Sequence, residues 1–135
     1  ELEAEFKLLS SNTYIFIIKI KKGIPIGYCY LDNIQYKNSN GEIRISICEK
    51  EYRKKGYYID AYITILRYFF SIFNLHKIYE QVYEFEKEKI ETLDELKIKR
   101  IAVIPENFFK DDRFWDEYIY NMFAKEFYNG LFQKG

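Results

Sequence analysis

The spacing of apolar positions along this chain changes several times, and each change marks an element. Near the start, Leu2, Phe6 and Leu9 fall at helical spacing before the break at Ser10-Ser11-Asn12, which predicts a helix over the first residues. Tyr14 to Lys21 is Ile-rich and β-branched. The turn chemistry of Lys22-Gly23 and Ile24-Pro25 returns the chain into Ile26 to Gln35, so the two runs read as a hairpin. Asn38-Ser39-Asn40-Gly41 is a second turn, and Glu42 to Cys48 reads as a central strand. Then the period lengthens: Ile59, Ile63, Leu66, Phe70 and Phe73 repeat as on one face of a helix, with Asp60, Thr64, Arg67 and Ser71 elsewhere.

Lys77 to Phe85 predicts the next strand, and Glu86 to Lys97 a charged helix that buries Ile90, Leu93 and Leu96 under a solvated face of Glu and Lys. Arg100 to Ile104 is strand-like, Pro105-Glu106-Asn107 leaves it, and Lys110-Asp111-Asp112-Arg113 turns into a last strand, Trp115 to Ala124. The fold class this order predicts is α/β in the α+β sense: a mixed, mostly antiparallel sheet flanked by helices. The aromatic last strand offers an edge for pairing with a second copy, a possible homodimer.

Composition narrows the function classes. At 135 residues, residues 1–135 make one domain of ordinary size, and 48% apolar residues argue against disorder. Lys plus Arg and Asp plus Glu both total 21, so no global field draws the protein to nucleic acid or an anionic membrane surface. The 14 Tyr and 12 Phe, beside only two Val and four Ala, fit core filling under an AT-rich codon bias. Apolar runs such as Tyr14-Ile15-Phe16-Ile17-Ile18 stop far short of the roughly 20 residues that cross a bilayer. No secretory signal opens the chain, and Cys29 and Cys48 make no metal-ligand spacing, so a reduced, cytoplasmic protein is the plain reading. Cys48 reads as a buried apolar cysteine. With His76 alone, neither a metal cluster nor a Ser-His-Asp arrangement can be drawn.

The richest stretch is Arg53-Lys54-Lys55-Gly56-Tyr57-Tyr58, between the central strand and the first long helix. A basic, glycine-centred turn at the positive end of a helix dipole presents unpaired N–H groups to a phosphate, so this one suggests a ligand bearing a diphosphate.

The order of segments from Ile26 to about Phe127 resembles the GNAT N-acetyltransferase superfamily, nearest to its ribosomal-protein and spermidine acetyltransferase branch. The stretches that carry the likeness are Gly41-Glu42-Ile43-Arg44-Ile45-Ser46-Ile47, then Glu51-Tyr52 and the basic turn, then Asn74-Leu75-His76-Lys77-Ile78-Tyr79. The resemblance implies acetyl-CoA as co-substrate. Pantetheine would lie in the V between the strands of Glu42 and Lys77, lined by Ile45, Ile47, Cys48, Val82 and Tyr83, and the diphosphate would sit on Arg53, Lys54, Lys55, Gly56, Tyr57 and Tyr58. It also implies a small-molecule or peptide amine as acceptor, Glu42 as the group that serves the amine, and His76 as structural. In the family the first helix follows a strand and another helix. The resemblance therefore implies a domain that lacks its N-terminal element.

The chain departs from the family's pattern at several positions. Tyr58 stands where the turn has a second small residue, Glu86 where an Asn commonly bonds the cofactor, Leu93 where a Tyr often protonates the departing thiolate, and Lys97-Ile98 where Gly-Phe ends the helix. Leu93 cannot donate a proton, which leaves water or a substitute acid, with Tyr83, Tyr118 and Tyr120 as candidates. Two readings stay open: an N-acetyltransferase acting by direct transfer to a primary amine, and an inactive fold kept as a CoA-binding or protein-interaction module.

Overall fold

The computed structural model describes residues 2–10 and 13–131. Its centre is a seven-stranded sheet in the order β1-β2-β3-β4-β5-β7-β6. The strands are β1 (Leu2–Ser10), β2 (Thr13–Ile20), β3 (Pro25–Gln35), β4 (Asn40–Ile47), β5 (Lys77–Tyr83), β6 (Lys99–Lys110) and β7 (Arg113–Phe123). All neighbours are antiparallel except β4 and β5, which the helix α1 (Lys55–Ile72) joins as a parallel crossover. A second helix, α2 (Lys87–Glu95), links β5 to β6 and packs beside α1.

The first residues form a strand and not the helix expected of them. Leu2 pairs with Ile20 and Phe6 with Phe16 along β2. The physical reason is visible in the chain: Leu2, Ala4, Phe6 and Leu8 also alternate with Glu3, Glu5 and Lys7, and this period of two suits a sheet edge. Ser11 and Asn12, within the expected break, lie outside the described residues. A second correction concerns the last strand. β7 lies between β5 and β6, so it is no edge; β1 and β6 are the edges, and β6 runs on past Pro105 to Lys110 with a register shift between Ile104 and Phe108. Pairing of a second copy through β7 is therefore ruled out by its position.

One face of the sheet carries the core. Phe16, Cys29 and Ile45 form a row across β2, β3 and β4, and α1 lies over it with Tyr58, Ala61, Tyr62, Ile65, Leu66, Phe69 and Phe70 buried. Burial of each such large side chain stabilises by about 1.5–3 kcal/mol. The buried stripe of α1 is rotated from the expected one: Ile59, Ile63 and Phe73 are half-buried, because Tyr58, Ala61 and Tyr62 face the sheet in their place. Among the described residues no helix is long and apolar enough to cross a membrane.

Candidate active site

β4 and β5 pair only from Asn40 to Ile43 against Lys77 to Glu80, and beyond that point they diverge. Divergence strands backbone groups that a ladder would have satisfied, and here side chains take them. Glu80 accepts the Ile45 N–H at 3.0 Å, Arg44 donates to the Gln81 carbonyl at 3.0 Å, and Glu86 accepts the Tyr83 N–H at 2.9 Å. These groups are themselves linked. Lys89 lies 3.3 Å from Glu80 and 3.5 Å from Glu86, Arg44 lies 3.1 Å from Glu86, and the Tyr62 hydroxyl donates to Glu80. Burial raises the Tyr62 phenol well above its usual range, with the Glu80 charge adding to it.

Above this apex the divergence opens a cleft of about 460 Å³, lined by Tyr28, Ser46, Ile47, Tyr58, Phe85 and Glu86 among others. Strand alternation puts Ile47 on the helix face and Tyr28 and Ser46 on the opposite face, so the cleft crosses the sheet. Because the Ile45 N–H points toward β5, the Ile45 carbonyl and the Ile47 N–H point the same way. That is the pair of groups an extended amide ligand bridges as an added strand.

The basic turn sits at the mouth. Arg53 donates to the carbonyls of Ile47 at 2.7 Å and Cys48 at 3.0 Å, so two of its N–H groups are spent on fixing the end of β4. Lys54 is the extended residue before α1, and its carbonyl accepts the N–H groups of Tyr57 and Tyr58. The first turn has no side-chain cap and no acidic residue, which leaves the helix dipole's positive end uncompensated. A Cβ built on Gly56 meets nothing within 4 Å, so the fold itself does not require glycine there and the space beside its backbone is open to a ligand. The Tyr58 ring is buried in the core and lines the cleft without filling the turn; burial first, then Glu86, pushes its phenol up to about 12. Tyr57 packs edge-on against Tyr52 at 5.1 Å. The side chain of Lys55 lies outside what the structure describes. These residues fit a CoA diphosphate and pantetheine: open backbone at the helix start, an open cleft, and strand groups directed into it.

Cys48 departs from its expected burial. It follows the last residue of β4 and is exposed at the cleft mouth, whereas Cys29 is buried. Leu93 is fully buried. Tyr120 is buried on the helix face with its hydroxyl accepting from Arg100, and Arg100 also lies 3.8 Å over the Tyr118 ring, so neither tyrosine reaches the open face. His76 is exposed, and its N–H donates to the Ser39 carbonyl.

The open face collects the rest. Asp32, Glu42, Tyr79 and Asn121 form one row across β3, β4, β5 and β7, and Tyr83 and Glu117 pair further along. Glu42 is half-buried; burial first, then the charges of Asp32, Glu117 and Glu80, raises its carboxyl above the usual range. Tyr83 stacks on Phe108 at 4.2 Å with the Arg44 guanidinium 4.8 Å from its ring, and burial raises its phenol. The Asn121 side-chain oxygen is buried without a donor. The structure thus brings Glu42 and Tyr83 to one face, and adds Arg44, Glu80, Glu86 and Lys89, which the sequence did not single out for this arrangement. A signal was present: Glu80 falls in phase with the buried Ile78 and Val82, and Lys89 with Leu93.

A parallel pair splayed by side chains, with a helix start at its mouth, defines an acyl-CoA N-acyltransferase fold. The Acetyltransferase (GNAT) domain family matches residues 2–94, and the chain belongs to that family. Similar solved structures include the spermidine N-acetyltransferase from Vibrio cholerae in complex with CoA and spermine, at 25% identity and a TM-score of 0.80, covering 88% of this chain and 70% of that one. A dodecameric structure of the spermidine N-acetyltransferase from Vibrio cholerae matches at 25% identity and a TM-score of 0.81, covering 89% and 70%. A third, in complex with manganese ions, matches at 25% identity and a TM-score of 0.80, covering 90% and 71%. No curated protein matches in sequence. Family and structural likeness together support acetyl-CoA-dependent amine N-acetylation as the activity.

Proposed function

We propose that this protein is an acetyl-CoA-dependent N-acetyltransferase that acts on a primary amine of a small polycation, by direct transfer within a ternary complex. The observation that carries this reading is the cleft that crosses the sheet, with a helix start at its mouth and, on the open face below the point where the strands part, a row rich in carboxylates. CoA would enter from the helix side, its diphosphate on the N–H groups at Lys55 and Gly56 with Lys54 beside it, and its pantetheine along Ile45 and Ile47. The acceptor would lie on the open face. Asp32, Glu42 and Glu117 supply negative charge there, and Asn121 an oxygen that lacks a donor. An ammonium group supplies both a positive charge and N–H donors.

The amine must lose a proton before it attacks. Glu42, whose carboxyl pKa burial and then Asp32 raise above the usual carboxylate range, serves as base directly or through water. Tyr83 holds its proton and is the candidate acid for the departing sulfur. The polyamine class finds further support in the acceptors named for the similar Vibrio cholerae structures. The free thiols of Cys29 and Cys48 support a reducing, cytoplasmic compartment.

Calorimetry with acetyl-CoA, followed by thiol release with spermidine, tests the reading. Micromolar binding and acceptor-dependent release are expected. Binding without release to any amine overturns the transferase in favour of a CoA-binding module, and no binding at millimolar acetyl-CoA overturns the cleft assignment itself.

A further inference from the structure

We infer that Arg44 is a catalytic residue: its guanidinium polarises the thioester carbonyl and holds the negative charge that forms on that oxygen. The inference rests on the acetyltransferase reading and assigns it an electrophile. At the apex of the cleft the backbone donors are already committed, the Ile45 N–H to Glu80 and the Tyr83 N–H to Glu86. Both acceptors are carboxylates, which hold such a donor more strongly than a neutral group does. An oxyanion formed there cannot draw on either N–H without displacing a carboxylate, buried in the case of Glu80 and partly buried in that of Glu86.

Two cations meet at that point, Lys89, which is buried and paired with Glu80, and Arg44, which lies on the open face of β4. Arg44 spans the divergence, with one nitrogen on the Gln81 carbonyl at 3.0 Å and another on Glu86 at 3.1 Å, and a guanidinium keeps further N–H groups beyond those two. Its contacts fix its direction, since the Tyr83 ring lies beneath it and Glu86 beside it. Glu86 lines the cleft and Arg44 does not, so the guanidinium stands one residue behind the lining, 3.1 Å from the Glu86 carboxylate. The charge is held for this use: Glu86 and Glu80 outweigh the cost of burial and raise its pKa further. Glu42 lies on the same strand face, two residues back. One cation and one base therefore flank the point where an amine from the open face meets the cleft, and the cation also disfavours the protonated form of that amine.

The step balances as follows. The amine gives one proton to Glu42 or to water, its nitrogen lone pair forms the C–N bond, and the carbonyl π pair moves onto oxygen beside Arg44. Re-formation of the carbonyl then breaks the C–S bond, the sulfur leaves with that electron pair, and it takes up one proton. The nitrogen's remaining surplus proton goes to solvent.

The test measures the carbonyl directly. Acetyl-CoA labelled with carbon-13 at the carbonyl, bound without acceptor, is expected to show a C=O stretch shifted below its value in water in the wild type and returned toward that value in Arg44→Ala. In turnover with spermidine, Arg44→Ala is expected to lower kcat by roughly 100- to 1,000-fold, as loss of an oxyanion donor does, while calorimetric affinity for CoA changes less than about threefold. Added guanidinium ion should restore part of kcat, which a purely structural defect would not allow. Because Arg44→Ala strands Glu86, Arg44→Ala with Glu86→Gln is the variant to use if the single one does not fold, and the carbonyl shift and rescue are read in that background. An unchanged carbonyl frequency, or kcat within about threefold of wild type, overturns the role of Arg44 alone. A wild type that releases no thiol overturns the transferase reading, and the inference with it.

Discussion

Glu80 and Lys89 form an ion pair at 3.3 Å with 0% and 1% of their side chains exposed, between the splayed strands and the two helices. Withdrawing two charges from water costs several kcal/mol per ion, and the pair repays this only because its remaining valences are used by Tyr62, the Ile45 N–H and Glu86. Lys89→Met should therefore destabilise the protein by about 3–5 kcal/mol, since it strands the Glu80 charge. Glu80→Leu combined with Lys89→Met removes the stranded charge and should recover only part of that loss in denaturant unfolding, because the buried Tyr62 hydroxyl and Ile45 N–H then lack an acceptor. It should also free the Ile45 N–H, so acetyl-CoA affinity in the double variant reads out whether that donor matters to binding.

Two glycines separate folding from binding. A Cβ on Gly27 would come within 2.1 Å of the Ser46 carbonyl oxygen, which belongs to a paired strand and cannot yield. Gly27→Ala is expected to lower the melting temperature by several degrees. Gly56 has open space where a Cβ would go, and it stands in the first turn of α1. Gly56→Ala should leave the melting temperature unchanged or higher, because alanine favours helix by about 1 kcal/mol. It should nevertheless weaken CoA binding, since the methyl group takes the space assigned to the diphosphate. Equal CoA affinity in Gly56→Ala and wild type would remove the turn from the site.

Much of this was legible from the chain, for reasons that differ by element. β2 to β5 could be read because β-branched runs end at true turn residues, and the crossover could be read because a basic glycine turn interrupts two different periods. β1 was misread because Leu2, Phe6 and Leu9 satisfy a helix while Leu2, Ala4, Phe6 and Leu8 satisfy a strand; only the partner strand decides. The buried face of α1 was displaced because tyrosine counts poorly as core, yet Tyr62 is 0% exposed. The apex is hard to read from sequence because the helix of Lys89 reads as a solvated charged face, and Glu80 is a lone carboxylate within a strand. A charge in phase with buried apolar neighbours needs a partner, and that rule pointed to both.

The carboxyl of Glu42 is raised by burial and then by Asp32, Glu117 and Glu80. A base acts only when deprotonated, so kcat/KM for the amine should rise with pH through a limb whose midpoint lies above that of an ordinary glutamate. Glu42→Gln should abolish this limb along with most of the rate. Asp32→Asn, which removes the largest charge acting on Glu42, should move the midpoint down. A bound polycation does the same, so the limb in kcat should lie below the limb in kcat/KM. A midpoint that ignores Asp32→Asn would mean that another group carries the ionisation.

Lys97 ends α2 at φ +59°, a left-handed conformation in which its N–H donates to the Asp94 carbonyl and the Ile98 N–H to the Leu93 carbonyl. The resemblance to the family implies a glycine at this helix end, and Lys97 stands here in the conformation that glycine favours. For a side chain with a Cβ the conformation costs roughly 1–2 kcal/mol, part of which glycine gives back as greater freedom in the unfolded chain. Lys97 is exposed, so its side chain contributes no packing that would be lost. Lys97→Gly should therefore stabilise the protein by roughly 0.5–1 kcal/mol, read as a higher denaturant midpoint with an unchanged slope. Lys97→Ala keeps the Cβ and should show no gain, and a gain in both variants would trace the effect to the lost charge instead of the backbone.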